Sequence, residues 1–332
     1  MAKMNSKSIL VSLVLLALSA VWFSNAHSAV AVTGHYYRSG KMRESCRWSV
    51  PAQQFLKLPD AAKIELMKSC IVGIDIDGVI ARDDGPDFVN LVSWFDTYSK
   101  RTNGGAPPVG LNSKGGSMVA SIMIAKAIRS SSRMRNAGFT EVFPADECYS
   151  ACVIVLAGGY RRHVAWGGRV GIHRPYFVED EYVQLGYKDL KEAYDGIYDQ
   201  LSVLFRQWNL SRSLVDDMFA VPSTEVRILT AEELSAYGLN KTDRVLVEQS
   251  NADTRTACGD KALAESGGED ANDSNWWASA KGQSCLKKIN ALSQARAIAK
   301  MKRLCGEAEV QAAEQGRGAV SQKCLDKYSQ AD

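Results

Sequence analysis

The stretch from Asp146 to Pro175, DECYSACVIVLAGGYRRHVAWGGRVGIHRP, holds Ser150 between two cysteines at the start of an apolar run and His173 near its end. Upstream, LNSKGGS (Leu111–Ser117) is an apolar segment that breaks into a glycine pair. A serine hydroxyl is a poor nucleophile until a base takes its proton, and the tetrahedral intermediate it forms needs donors for its oxyanion. A nucleophile, a base and a turn that can expose backbone N–H groups are the minimum parts of an acyl-transfer site. The chain has 4 histidines. His27, His35 and His163 have no comparable setting, which leaves His173 as the candidate base. If Ser150 opens a helix running through Val153–Leu156, its hydroxyl meets the positive end of the helix dipole, and the Ala151 N–H can face a developing oxyanion. The Gly115–Gly116 turn can bring a second N–H close, because glycine permits approaches that a side chain blocks. The plainer alternative makes Ser150 a helix N-cap and Gly115–Gly116 an ordinary strand-to-helix turn.

The elements that must position these residues alternate between strand and helix. Cys70–Ile80 alternates apolar and polar residues as a strand does, with a glycine turn at Gly78. Pro86–Lys100 places Phe88, Leu91, Val92 and Phe95 three and four apart, the spacing of an amphipathic helix. Strand over Val109–Asn112, helix over Ser117–Arg129, strand over Phe139–Pro144 and a buried helix opening at Ser150 follow. Two strand pieces, Arg162–Val164 and Arg169–His173, precede helices over Asp189–Trp208 and Ser211–Phe219. Thr230 with Glu233 forms a capping box that starts another helix, and Val245–Val247 is expected to close as a strand. Residues 60–69 look like a short helical segment, and Val32–Ala52 has no assignable pattern. Repeated strand–helix alternation implies a parallel sheet with crossover helices.

At 332 residues, the chain is long enough for one large domain and an appendage. A net charge of +3 and no run of Lys and Arg argue against a nucleic-acid surface. Lys3 and Lys7 precede an apolar stretch, Ile9–Phe23, and small residues follow at Ser24, Ala26, Ala29 and Ala31. This is the pattern of a secretory signal peptide cleaved after Ala26 or after Ala31; an uncleaved membrane anchor is the alternative, and the stretch is short for one. After cleavage no stable membrane insertion is expected, and the protein is placed in the periplasm or outside the cell. The 8 cysteines fit an oxidising compartment, and their spacing is not that of a zinc site. Cys258, Cys285, Cys305 and Cys324 are expected to pair among themselves. Cys148 and Cys152 are expected to be structural, with a disulfide between them badly placed if both lie on one regular helix. The expected organisation is a signal peptide over 1–26, an α/β domain over 32–250, and a helical, disulfide-stapled region over 251–332.

Residues from about 70 to 247 resemble the Clp-protease and crotonase superfamily, most of all Clp-type serine peptidases. LNSKGG (Leu111–Gly116) is similar to the family's N-S-P-G-G oxyanion turn, with Lys114 in place of proline. CYSAC (Cys148–Cys152) resembles its nucleophile block, GGRVGIHRP (Gly167–Pro175) its R-x-x-I-H-x-P base block, and LTAEELSAYGL (Leu229–Leu239) a late S-A-x-E-A-x-x-Y-G-L segment. The resemblance implies a crotonase-like (ClpP-like) α/β fold of stacked repeats forming two sheets. It also implies Ser150 as nucleophile, His173 as general base, and an oxyanion hole from N–H groups of the Gly115–Gly116 turn and Ala151.

The family places an aspartate a few residues before the late block, where this chain has Val226. Glu225, next to it, is the first candidate for the acid that orients His173. Asp216 and Asp217 are the others, and a dyad without an acid is the fourth reading. The expected activity is periplasmic hydrolysis of a peptide bond in a peptide or protein substrate, with no metal or organic cofactor, in a homo-oligomer. An acyl-CoA enzyme on the same fold and a non-catalytic binding module are the rivals.

Overall fold

A computed structural model describes residues 28–35, 48–67, 70–98, 107–131, 134, 138–176, 187–267, 274–315, 321 and 324. The expected signal peptide, residues 1–26, lies outside them. The chain begins with two antiparallel strands, β1 (Val30–His35) and β2 (Trp48–Pro51), then two short helices, α1 (Ala52–Lys57) and α2 (Asp60–Met67). Strand β3 (Ile71–Asp77), helix α3 (Asp84–Tyr98), strand β4 (Val109–Asn112), helix α4 (Met118–Ser130) and strand β5 (Thr140–Val142) form the crossover units expected from the alternation. Strand β6 (Glu147–Tyr149) runs into helix α5 (Ala151–Gly158), followed by strands β7 (Arg162–Val164) and β8 (Arg169–Ile172).

Two sheets result. The larger has the order β2-β1-β3-β4-β5-β7, antiparallel through β2, β1 and β3 and parallel from β3 to β7. The smaller joins β6 and β8 in parallel with β9 (Arg227–Ile228), which runs antiparallel to β8. The fold is therefore mixed α/β with a mixed sheet.

The core is built by the periodicities visible in the sequence. Ile74 and Ile76 on β3, and Phe88 and Leu91 on α3, are fully buried. Helix α5 is buried at all 8 of its residues. It can lie close to α4 because Gly158 has no side chain: a Cβ there would sit 2.7 Å from the Cα of Ala125. Full burial of residues such as Ile154 and Leu156 is worth roughly 1.5–3 kcal/mol per large side chain.

Further on are helices α6 (Tyr187–Gln207), α7 (Ser213–Ala220) and α8 (Ala231–Tyr237). Helix α8 has the expected capping box between Thr230 and Glu233. Then come α9 (Arg244–Cys258), α10 (Asp260–Glu265), α11 (Ser274–Ala278), α12 (Ala280–Cys305) and α13 (Glu307–Glu314). The structure corrects one expectation. Val245–Val247 is helical, because Asp243 caps α9 by accepting the Val245 N–H at 2.9 Å. Residues 250 and 251 both lie inside α9, so the α/β unit and the C-terminal helices share an element. Val32–Ala52 contains β1 and β2. Ala29, Val30 and Val32 are core residues, so cleavage after Ala31 would remove the start of β1, whereas cleavage after Ala26 would spare it.

Asp243 also closes a buried ionic cluster. The Arg129 guanidinium donates to it at 2.7 Å, the Asn209 amide at 3.0 Å, and Arg162 lies 3.8 Å away. Burial, then repulsion from Arg129, lowers the Arg162 pKa to about 10.

Candidate active site around Ser150

The strand β6 ends at Tyr149 and helix α5 begins at Ala151, so a single residue turns the chain from strand to helix. That residue, Ser150, has φ 56° and ψ −125°. Positive φ is costly for a side chain other than glycine, on the order of 1–3 kcal/mol, and persists only where the surroundings enforce it. The Ser150 side chain makes no capping hydrogen bond. Its hydroxyl is not spent on the helix terminus, unlike that of Ser117, which accepts the Ala120 N–H at the start of α4. A sharp strand–turn–helix that lifts a serine clear of its sheet is how a nucleophile elbow is made. The backbone holds the elbow from both sides: Ser150 N–H donates to Gly171 O at 3.0 Å, and Val153 N–H donates to Ser150 O at 3.0 Å.

Cys148 and Cys152 are joined by a disulfide with Cα atoms 5.2 Å apart. The expectation that such a bond would be badly placed assumed one regular helix. Cys148 lies on β6 and Cys152 on α5, and the turn at Ser150 brings them together.

The Gly115–Gly116 turn lies directly against this elbow. Ser113 N–H donates to Glu147 O at 2.6 Å and Tyr149 N–H to Ser113 O at 2.9 Å, so the end of β4 is stitched to β6. Asn112 adds its side-chain oxygen to the Glu147 N–H at 3.2 Å and its amide to Asp77 at 3.0 Å. Gly115 has φ 97°, and a Cβ there would lie 2.8 Å from the Ser150 Cβ. Gly116 has φ 138°, and a Cβ there would lie 2.3 Å from Ile80 O. Neither position can carry a side chain. On the Ile80 side, Ile80 N–H donates to Gly115 O at 2.9 Å and Ser117 N–H to Ile80 O at 2.7 Å. That pairing passes over the Gly116 N–H. Ala151, the first residue of α5, likewise has no partner for its N–H within the helix. Among the described residues neither the Gly116 nor the Ala151 N–H has a ladder partner; Ala151 directly follows Ser150, and Gly116 follows the glycine packed on the Ser150 Cβ.

His173 follows β8, two residues beyond Gly171, on the strand next to β6. It is 7% exposed. Its Nδ1 lies 2.8 Å from Arg174 O. A carbonyl can only accept, so Nδ1 carries a proton, and it is the neutral tautomer with its lone pair on Nε2 that this contact would suit for a general base. Arg174 N–H donates to Val221 O at 3.0 Å, which fixes the carbonyl in turn. Tyr176 stacks on the imidazole with ring centroids 6.0 Å apart. Among the described residues no hydrogen bond joins Ser150 to His173; such bonds often tighten only when substrate is present. Beside the serine, burial first, then the Glu147 charge, raises the Tyr149 pKa, so its phenol is neutral at physiological pH.

The expected residues Ser150, Gly115, Gly116, Ala151 and His173 are therefore carried by neighbouring segments. Glu225 does not join them through a bond. It is exposed, its N–H donates to Pro222 O at 3.1 Å, and the imidazole partner is the Arg174 carbonyl. The other two acids are engaged elsewhere: Asp216 accepts from the Tyr198 hydroxyl, and Asp217 from the Tyr237 hydroxyl.

Sequence reasoning missed the Arg174 carbonyl, which no side-chain pattern could reveal. It also missed Ser113, whose hydroxyl accepts the Gly115 N–H at 3.1 Å and so shapes the oxyanion turn. A serine two residues before a glycine pair is a recognisable side-chain-to-backbone turn signal. The chain matches no protein-family model, and no curated protein is similar enough to it to count as a relative.

Proposed function

We propose that this protein is a serine hydrolase that cleaves peptide bonds with a Ser150–His173 dyad on a ClpP/crotonase-like fold, in the periplasm or outside the cell. The observation that carries the reading is the backbone of Ser150: a serine at φ 56° on a strand-to-helix turn, its hydroxyl uncommitted, with a glycine turn packed on its Cβ. Ser150 attacks the carbonyl carbon. His173 Nε2 takes the hydroxyl proton and later gives it to the leaving amine. The Gly116 and Ala151 N–H groups hold the oxyanion, and the Arg174 carbonyl keeps the imidazole in the required tautomer. Three disulfides among the described residues support an oxidising compartment. Among those residues, no helix is long and apolar enough to cross a membrane.

That no carboxylate among the described residues bonds His173 is the observation that favours the rival, a non-catalytic binding module on the same scaffold. A fluorophosphonate probe separates the two. The expected result is covalent labelling at Ser150 that Ser150→Ala abolishes and His173→Ala strongly slows, while Glu225→Gln labels at the wild-type rate. Labelling that survives Ser150→Ala, or none in the oxidised wild-type protein, would overturn the hydrolase reading. A collapse in Glu225→Gln would restore an acid to the mechanism.

A further inference from the structure

We infer that the Cys148–Cys152 disulfide is the element that positions Ser150, and that oxidation of this one cysteine pair is a maturation step of the site. The inference rests on the hydrolase reading only for what Ser150 does once it is in place.

The bond joins residues 4 apart in sequence, and Ser150 is at the centre of the ring it closes. Cys148 sits at the middle of β6 and Cys152 is the second residue of α5, so the bond ties the end of the strand to the start of the helix across the one residue held at positive φ. Both cysteines are 0% exposed. Something must hold Ser150 in a conformation that costs on the order of 1–3 kcal/mol. Its own side chain does not contribute, since it makes no capping bond. The backbone bonds to Gly171 and Val153 hold the strand side and the helix side separately. The disulfide is the covalent link between them that does not pass through Ser150.

The other two described disulfides behave differently. They span 27 and 19 residues, and longer loops gain more from chain entropy. The short ring gains least there, and it lies in a helix–strand junction that is already fully packed. Its distinctive effect is local geometry, which a nucleophile needs: a misplacement of about 1 Å can cost about 10²-fold in rate.

The chemistry balances with a disulfide donor. One cysteine thiolate attacks a donor RSSR and releases RS⁻, giving a mixed disulfide. The second thiolate displaces the remaining RS⁻, so two thiols are oxidised to one disulfide and RSSR is reduced to two RSH, which carry the two protons. In the folded protein both sulfurs are buried, so the exchange belongs before α5 packs against the sheet. The partner class is therefore a disulfide donor that meets the folding chain, and oxidised glutathione serves as the probe.

The test compares wild-type chain refolded with reduced and oxidised glutathione, wild-type chain refolded and held in tris(2-carboxyethyl)phosphine, Cys148→Ala/Cys152→Ala, and the control Cys258→Ala/Cys285→Ala. Two signals are read: amide hydrogen exchange in peptides covering 147–158, and the fluorophosphonate labelling rate at Ser150. Without the bond, exchange over 147–158 is expected to quicken by about 10-fold while α6 and α8 keep their protection. Labelling is expected to slow by about 10–100-fold. The control keeps both wild-type values.

Unchanged elbow exchange in Cys148→Ala/Cys152→Ala would overturn the inference, whatever the labelling does. If that variant does not fold, the reduced wild-type chain decides on the same criterion. Elbow exchange that quickens as expected, with no labelling even in the oxidised wild type, would support the positioning role and sink the hydrolase reading instead.

Discussion

The elbow at Ser150 and the C-terminal helices both contain disulfides, yet the two regions are held by opposite means. Around Ser150 the chain is already core: every residue of α5 is buried, and it packs between α4 and the sheets. The C-terminal helices have little interior. Among the described residues from α12 onward, Cys285, Val310 and Cys324 are the buried apolar ones. There the disulfides Cys258–Cys285 and Cys305–Cys324, with Cα atoms 5.8 and 5.1 Å apart, stand in for a core. The same covalent bond therefore does different work: it sets a geometry where packing is dense and supplies stability where packing is sparse.

Substitutions can break this contrast, and the largest effect is expected at the elbow. Gly116→Ala must place a methyl group against Ile80 O and hold alanine at φ 138°. The turn has to move, and with it one of the proposed oxyanion donors. Turnover and Ser150 labelling should fall by about 10²–10³-fold, while hydrogen exchange in α12 stays unchanged. Retention of wild-type turnover would remove Gly116 from the site.

Next in size is Cys258→Ala/Cys285→Ala, which unlinks α9 from α12. Local stability of α12, read by hydrogen exchange, should fall by about 2–4 kcal/mol. Labelling of Ser150 should be untouched if the two regions are as independent as their packing suggests. A parallel loss of labelling would show that the C-terminal helices support the site, through α9 and the buried Asp243 cluster.

The smallest expected effect sharpens the contrast within the α/β unit, at the capping box of α8. The Glu233 carboxyl accepts the Thr230 N–H and pairs with Arg227, and both hold its pKa below the usual glutamate value of 4.5. A carboxyl whose folded pKa is depressed gives stability that is complete above its unfolded pKa and lost as pH falls through the folded one. Thermal stability should therefore decline as pH drops below about 4.5, and Glu233→Gln should flatten that part of the profile. Thr230→Ala should cost about 1 kcal/mol. An unchanged acid limb in Glu233→Gln would show that other carboxylates set it.

Much of the site was legible in the sequence because its logic is local. A serine at the head of an apolar run, a glycine pair after a short strand and a histidine at a strand end each carry their own signal. Strands β3, β4, β7 and β8 and the capping box at Thr230 were legible for the same reason. The antiparallel strands β1 and β2 were not, since the pairing of β1 with β2 and with β3 is long-range and leaves no period in a polar, aromatic stretch. Val245–Val247 read as a strand because three residues cannot distinguish the two periods, whereas the Asp243 cap and burial of Leu246 decide for helix. The partner of His173 was out of reach because it is a main-chain carbonyl; looking for an acid pointed to Glu225, which is exposed.

That carbonyl has a consequence for how the proposed site meets its substrate. Before reaction, the hydroxyl of Ser150, the imidazole of His173 in its neutral form and the carbonyl of Arg174 carry no formal charge. A carboxylate in the third place would have to keep its hydration or lose it each time a substrate closed over the site. With a main-chain carbonyl in that place, a peptide that covers these three groups and expels water would strand no ion among them. Charge separation then begins only with proton transfer, when the imidazolium and the oxyanion form together, and main-chain dipoles that are already in place receive both.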